Sequence, residues 1–209
     1  MKEKIGVLIV DDHAMVRIGL IEAVTAVSDM QVTGEAANGL AAIKLYRKER
    51  ADVILMDYQM PELDGVETTI QLRESFPDAK VILLSIREGE EDIWRATQAG
   101  VKGYLPKSSS MRQVLTAIRQ VHAGQNSFPP EIENKIMQRS NRSDMTEREL
   151  DVLHLLVAGK CNKEISTALN LSDGSVRLYV SRVLLRLDVK DRTQAAVKAI
   201  QSGLVHLGQ

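Results

Sequence analysis

The sequence predicts an α/β domain with a five-stranded, parallel, doubly wound sheet, followed by a small all-α domain. Over about the first 123 residues, short apolar runs alternate with segments whose apolar residues recur at helical spacing. Each apolar run ends in a polar side chain or in turn residues. Beyond Gly124 no further strand pattern occurs and the remaining segments are helical. Because strict alternation of strand and helix produces parallel sheets, we expect helices on both faces of the first domain.

The elements of the first domain follow from this alternation. Strands are predicted at 5–10, 31–37, 53–57, 81–84 and 103–106. Helices are predicted at 14–27, 40–48 and 66–75, then from Ile93 until Gly100 ends the helix, and at 111–122. The first domain is therefore predicted to span residues 1–123.

A linker at 124–142 and a helical domain at 143–209 complete the predicted organisation. The linker contains Pro129-Pro130 and one short helical stretch near 132–137. A capping box from Thr146 to Glu149 opens the next helix, which Gly159 ends. Asn162 is predicted to cap a short helix, and a tight turn at 170–173 leads into a longer helix that runs to Leu187. Asp191 or Thr193 begins a fourth helix. Two helices joined by a tight turn are the helix-turn-helix signature.

Composition narrows the class of protein. The chain is 44% hydrophobic and 26% charged, as in ordinary soluble domains, and its net charge is −1. The three predicted parts carry net charges of −3, +1 and +1, so DNA binding has to depend on the placement of basic residues. A single cysteine, Cys161, permits no internal disulfide and fits a cytoplasmic protein. Neither a signal peptide nor a membrane span is predicted, and no membrane partner is expected.

Polar residues stand at the carboxyl ends of four predicted strands. They are Asp11 and Asp12, Asp57, Ser85 and Lys107. The carboxyl ends of parallel strands share one rim of the sheet, where ligands of open α/β sheets bind. Since three carboxylates repel one another, we expect a divalent cation among them.

Magnesium suits this rim because it prefers a few carboxylates together with water and phosphate oxygens. Asp12 and Asp57, with Asp11 acting through a water, and the backbone carbonyl of Gln59 are the predicted ligands. Lys107 and Ser85 would face an incoming phosphoryl group, and Asp57 is the predicted nucleophile. His13 is interpreted as a local hydrogen-bonding residue and not as a ligand.

These motifs carry a family resemblance. The first domain resembles the receiver domain of two-component response regulators, and the second resembles a LuxR-type helix-turn-helix; together they resemble a NarL/FixJ-type regulator. The residues that match the receiver domain are Val10-Asp11-Asp12-His13, Leu55 to Gly65, Leu84-Ser85 and Gly103 to Lys107. The residues that match the helix-turn-helix are Met145 to Glu149, Gly159, Asn162 to Ile165, Ser175-Val176 and Val189 to Ala195.

The resemblance implies a sheet order of 2-1-3-4-5, with Asp57 as the phosphoacceptor and Mg²⁺ as the cofactor. It implies that Lys107 is the phosphate's counter-charge, and that Ser85 and Tyr104 form a switch pair. A sensor histidine kinase is the expected phosphoryl donor and double-stranded promoter DNA the expected target. The chain would dimerise when phosphorylated and would not turn over an external substrate.

The resemblance also makes the helix from Asp173 to Leu187 the recognition helix. Its predicted outward residues are Arg177, Leu178, Ser181 and Arg182. Arg177 is suited to guanine and Leu178 to a thymine methyl group, whereas Lys163, Arg182 and Lys190 are placed for phosphates. Ala196, Val197 and Ile200 of the fourth helix are the expected dimer face.

Two other classes fit less well. A magnesium-dependent phosphohydrolase with an aspartate nucleophile usually needs an acid two residues further on, and Gln59 stands there. A P-loop protein would use the spacing of Gly34 and Gly39, but Leu40 occupies the position of the required lysine.

Overall fold

The computed structural model describes residues 4–140 and 144–206. The chain divides into two compact units, Met1–Glu88 with Ile93–Ile136, and Gly89–Asp92 with Met137–Gln209. The predicted boundary between 142 and 143 lies outside the described residues, and the predicted domain limits remain predictions.

The first unit contains the predicted parallel sheet. In the described part of the chain, its strands are β1 (Ile5–Val10), β2 (Met30–Ala36), β3 (Val53–Asp57), β4 (Val81–Ser85) and β5 (Gly103–Pro106). They pair in parallel in the order β2-β1-β3-β4-β5, which confirms the predicted order. The helices that follow the strands are α1 (Ala14–Thr25), α2 (Gly39–Lys48), α3 (Gly65–Ser75), α4 (Glu90–Gln98) and α5 (Met111–His122).

Alternation along the strands divides the core into two layers. Val7 and Ile9 of β1 pack with α1 and α5, while Leu8 and Val10 pack with the layer that contains α2 and α3. All six residues of β1 are buried, as expected for a strand with helices on both faces. The sheet thus holds its carboxyl rim in a rigid frame.

Residues that the sequence suggested were linker belong to the core of the first unit. Ser127 forms a parallel bridge with Gly103, and its carbonyl accepts a hydrogen bond from the Tyr104 N–H over 3.3 Å. Helix α6 (Pro130–Ser140) follows, and Ile132 is only 2% exposed among the residues that pack around Tyr104. The helix predicted near 132–137 is longer than expected, since it begins at Pro130 and ends at Ser140.

The second unit is helical where it is described. It contains α7 (Glu147–Val157), α8 (Asn162–Leu169), α9 (Asp173–Arg186) and α10 (Arg192–Gln201) around one apolar core. Thr146 and Glu149 form the predicted capping box of α7, and Asp191 rather than Thr193 caps α10.

The predicted cap of α8 was wrong by one residue. Cys161 is the N-cap, with an extended backbone, and Asn162 is the first helical residue. The Cys161 N–H donates to the Glu164 side chain over 2.8 Å, which is the half of a capping box that needs no oxygen on the N-cap side chain. Within the described ranges, none of the helices has both the length and the apolar character needed to cross a bilayer.

Candidate functional site

The rim residues come together as the parallel topology requires. Asp57 is the last residue of β3, Asp11 directly follows β1, Ser85 ends β4 and Lys107 follows β5. Asp11 is fully buried and Asp57 is only 2% exposed. Two adjacent buried carboxylates are costly unless a cation compensates them.

Lys107 supplies part of that compensation. Its Nζ donates to Asp57 Oδ2 over 2.7 Å and lies 3.0 Å from Asp11 Oδ2. Burial disfavours the Lys107 ammonium, but the two carboxylates outweigh it and raise the pKa of Lys107. Burial also raises the pKa of Asp57 above its usual range, although Lys107 acts in the opposite direction. One ammonium therefore does not fully offset the desolvation of Asp57.

Three carboxylates and one imidazole form a compact acidic cluster at the rim. One donor atom from each of Asp11, Asp12, His13 and Asp57 lies within 4.8 Å of the others. Asp11 Oδ2 is buried and accepts no hydrogen bond of normal geometry, although Lys107 Nζ lies nearby. Such an arrangement of oxygen donors is suited to a metal ion.

A cleft of about 580 Å³ opens over the cluster. Its wall is partly apolar, a feature that the sequence analysis did not predict. The lining residues are Asp12, His13, Val16, Asp57, Gln59, Met60, Pro61, Ile86 and Lys107. Gln59 thus lies at the site, and its backbone N–H donates to Asp57 Oδ1 over 3.2 Å.

Ser85 and Tyr104 both hold the backbone of Arg87. The Arg87 N–H donates to Ser85 Oγ over 2.8 Å, and the Tyr104 hydroxyl donates to the Arg87 carbonyl over 2.6 Å. The Tyr104 ring is fully buried. The segment after β4 therefore links the two predicted switch residues, and Arg87 is a participant that the sequence analysis missed.

Helices α8 and α9 form the helix-turn-helix. The left-handed backbone of Asn170 ends α8 (φ 52°), and Ser172 caps α9 by accepting from the Ser175 N–H. Val176 and Val183 are fully buried, so the opposite face of α9 points outward.

The predicted DNA-binding residues lie on exposed positions. These are Lys163, Arg177, Leu178, Ser181, Arg182 and Lys190. Leu185, also on α9, is 81% exposed and was not predicted. On α10, Val197 and Ile200 are 49% and 38% exposed, whereas Ala196 is half-buried. Exposed apolar residues on one helix are consistent with an interaction face.

The fold and the rim define a class of protein, namely regulators in which a receiver domain is joined to a helix-turn-helix domain. The family model "Response regulator receiver domain" matches residues 7–119, and "Bacterial regulatory proteins, luxR family" matches residues 143–199. Response regulator protein VraR of Staphylococcus aureus is 38% identical over 206 residues, which cover 96% of this chain and 99% of VraR. The chain therefore belongs to the DNA-binding response regulators of two-component systems.

Solved structures agree with this assignment. The crystal structure of response regulator ChrA, from a heme-sensing two-component system, shares 30% identity with a TM-score of 0.57, over 97% of this chain and 99% of that one. The RcsB–DNA complex, at 21% identity and a TM-score of 0.73, covers 95% of this chain and 99% of RcsB. The likeness to RcsB shows the fold alone.

Proposed function

We propose that a sensor histidine kinase phosphorylates Asp57 and that this modification controls how the chain binds promoter DNA in the cytoplasm. The single observation that carries the proposal is the buried Asp57 carboxylate, which belongs to the acidic cluster and accepts a hydrogen bond from Lys107. The chain accepts one phosphoryl group on itself and does not turn over an external substrate.

The chemistry is displacement at phosphorus. An ionised oxygen of Asp57 attacks the phosphoryl group of a kinase phosphohistidine; the new O–P bond forms as the P–N bond breaks, and the electron pair of that bond returns to the imidazole. Lys107 already contacts Asp57 Oδ2, and it can follow the charge to the transferred phosphoryl oxygens.

Magnesium fits the cluster on chemical grounds. Asp11, Asp12 and Asp57, with the backbone carbonyl of Gln59, would hold it, and the buried Asp11 Oδ2 atom that accepts no hydrogen bond is the observation that favours a cation. When bound, the ion would supply positive charge against the phosphoryl oxygens. Without the ion, Lys107 and the Gln59 N–H position the Asp57 carboxylate and offset part of its charge.

The switch works through the segment after β4. Ser85 Oγ accepts from the Arg87 N–H, so a hydroxyl that turns toward the phosphoryl group would release this segment. Tyr104 holds the same backbone from its buried position. A phosphoryl group can shift the equilibrium between the held and the released segment only by interacting more favourably with one of these two states.

The DNA contacts are assigned to the exposed face of α9. Arg177 and Leu178 are proposed to contact bases, with Ser181 beside them, while Lys163, Arg182 and Lys190 contact phosphates. RcsB, which shares this fold, has been solved bound to DNA and as dimers. We propose a homodimer of the phosphorylated chain through Ala196, Val197 and Ile200 on α10.

Intact-mass measurement tests the phosphoacceptor. After incubation with a small acyl-phosphate donor and Mg²⁺, one phosphoryl group should be present on the wild type and on Asp78→Asn, an exposed control. It should be absent from Asp57→Asn and should not form when metal is chelated. Phosphate retained on Asp57→Asn would reject the assignment.

Measurements of DNA affinity at fixed salt test whether phosphorylation of Asp57 controls DNA binding. A tenfold gain on phosphorylation corresponds to about 1.4 kcal/mol of coupling, and Asp57→Asn should lose the gain. Arg177→Ala should cost about 1–3 kcal/mol at one base position, whereas Lys190→Ala should weaken binding to all sequences alike and reduce the salt slope by about 1. Identical affinity and oligomeric state before and after phosphorylation would contradict the proposal.

A further inference from the structure

We propose that helix α6 responds to the state of the switch, and that the ammonium of Lys135 is the group that joins this helix to the segment after β4. The inference rests on the proposed function, since it takes phosphorylation of Asp57 as the event that releases the segment. It goes further because it names the helix on which that release acts and the residue that transmits it.

Lys135 holds the segment after β4 from the side of α6. Its Nζ donates to the Glu88 backbone carbonyl over 2.6 Å and lies 3.8 Å from Glu88 Oε2. The Lys135 side chain is 30% exposed, so water screens the ammonium only in part. Because a hydrogen bond from a charged donor is stronger than one between neutral groups, Lys135 restrains the backbone at Glu88.

The restrained carbonyl directly follows the residue that both switch side chains hold. Ser85 Oγ accepts from the Arg87 N–H, and the Tyr104 hydroxyl donates to the Arg87 carbonyl. The carbonyls of Arg87 and Glu88 belong to consecutive planar peptide groups, which only the two backbone dihedral angles of Glu88 separate. The Arg87 backbone therefore cannot move far without moving the acceptor of the Lys135 bond.

The first part of α6 is attached to the other switch residue. The Tyr104 N–H donates to the carbonyl of Ser127, which lies just before α6, over 3.3 Å. Ile132 is buried in the same apolar cluster as Tyr104, and Ile136 packs against this cluster. The helix is thus fixed to β5 through its first part and to the segment after β4 through Lys135.

The boundary between the two compact units falls inside α6. The first unit includes this helix up to Ile136, and the second unit continues from Met137. Lys135 therefore acts on the last turn of α6 that belongs to the first unit. Since hydrogen bonds along a helix join residues four positions apart, the loss of a restraint at Lys135 loosens the helix on both sides of the boundary.

The Lys135 bond favours the resting arrangement. When the Ser85 hydroxyl turns from Arg87 to the phosphoryl oxygens, the segment after β4 is released and the Glu88 carbonyl moves with it. A bond that is made in one arrangement and lost in the other shifts the equilibrium toward the first. Lys135 thus opposes release in the unmodified chain, and its removal shifts that chain toward the phosphorylated arrangement.

Hydrogen exchange of α6 in the full-length chain tests the proposal. In wild type, a small acyl-phosphate donor with Mg²⁺ should speed exchange of the amides around Lys135 by about fivefold or more. Lys135→Met should exchange fast without the donor and change less than about twofold when the donor is added. Lys135→Arg keeps a charged donor and should behave as wild type, as should Gln138→Ala, an exposed control on the same helix.

The affinity of the same variants for operator DNA gives a readout that a merely structural role of Lys135 would not move in this direction. Before phosphorylation, Lys135→Met should bind more tightly than wild type. Its gain on phosphorylation should fall from about tenfold to about threefold or less, because part of the shift has already occurred. A variant that only loosened the fold would bind less tightly in both states, and that result would contradict the proposal.

The outcomes separate this inference from the proposed function. If wild type carries one phosphoryl group by intact mass while exchange of α6 stays unchanged, the response of α6 is overturned and the phosphoacceptor stands. If unmodified Lys135→Met exchanges as slowly as unmodified wild type, the Lys135 bond does not hold α6 and the inference fails. A wild type that accepts no phosphoryl group would overturn the proposed function, and the comparison of the two unmodified chains would still decide the role of Lys135.

Discussion

Ile132→Ala should destabilise the first unit strongly, although the sequence places Ile132 in a linker. The side chain is 2% exposed and packs with the core residues around Tyr104. Truncating a buried isoleucine costs about 2–5 kcal/mol, because apolar contact is lost and a cavity remains. We expect about 3 kcal/mol, since α6 lies at the margin of the core and can partly relax.

The single tryptophan makes this loss measurable in the full-length chain. Trp94 lies on α4 within the first unit, so its fluorescence during urea unfolding reports on that unit. With an m-value of about 2 kcal/mol/M, a loss of 3 kcal/mol lowers the midpoint by roughly 1.5 M.

Met137→Ala is the matched control on the same helix. Met137 is 65% exposed, so its truncation should change stability by less than about 0.5 kcal/mol. If Ile132→Ala were as mild as this control, residues 127–136 would not belong to the core, and the fluorescence midpoint would show that directly.

Three further perturbations test other parts of the fold. Gly65→Ala should cost about 1–3 kcal/mol by the Trp94 assay, because a Cβ there would lie 2.4 Å from the Asp57 carbonyl oxygen. Asn170→Ala should cost about 1–2 kcal/mol and Asn170→Gly almost nothing, because Asn170 has φ 52°; thermal unfolding followed by circular dichroism compares them. Burial opposes ionisation of Glu149, but bonds from Thr146 and Arg186 outweigh it and hold the pKa below its usual 4.5. The stability that ionised Glu149 contributes to the fold is therefore present above pH 4.5 and is lost as the pH falls through the lower pKa of the folded state. Hydrogen exchange of α7 should show this loss in wild type but not in Glu149→Gln.

Much of the first unit was predictable because burial leaves a clear pattern in the sequence. Strands covered on both faces require continuous apolar runs, and the predicted limits of Ile5–Val10, Gly103–Pro106 and Met111–His122 agree with the structure. Parallel pairing then places the residues after the strands on one rim, so Asp57 and Lys107 could be brought together before any coordinates were known.

The attachment of residues 127–136 was not predictable in the same way. Ser127 joins β5 through backbone atoms, and its N–H donates to the Lys102 carbonyl over 2.8 Å. Backbone pairing needs no particular side chain, and the neighbouring Pro129-Pro130 is typical of a linker. One buried isoleucine in a short helix is too weak a signal for periodicity to detect.

The cluster itself shows a second limit of sequence reasoning. Asp11 and Asp12 are adjacent in sequence, yet one is fully buried and the other partly exposed. The burial of each carboxylate depends on the loop between β1 and α1, where the His13 N–H donates to Asp11 Oδ1 over 2.8 Å.

The charges at the rim connect the fold to the switch. Three carboxylates face one ammonium, which leaves a formal charge of −2 before any phosphoryl group arrives. The raised pKa of Asp57 shows that Lys107 alone does not fully compensate this charge and the burial. A phosphoryl group would add further negative charge at the same place, and in the proposed function a bound cation and the Ser85 hydroxyl offset that charge. Ser85 Oγ also accepts from the Arg87 N–H, so in the proposed switch the hydroxyl that turns toward the phosphoryl oxygens is the one that releases the segment after β4. Ser85→Ala should therefore still accept phosphate on Asp57 but lose most of the gain in DNA affinity, and an undiminished gain would reject this coupling.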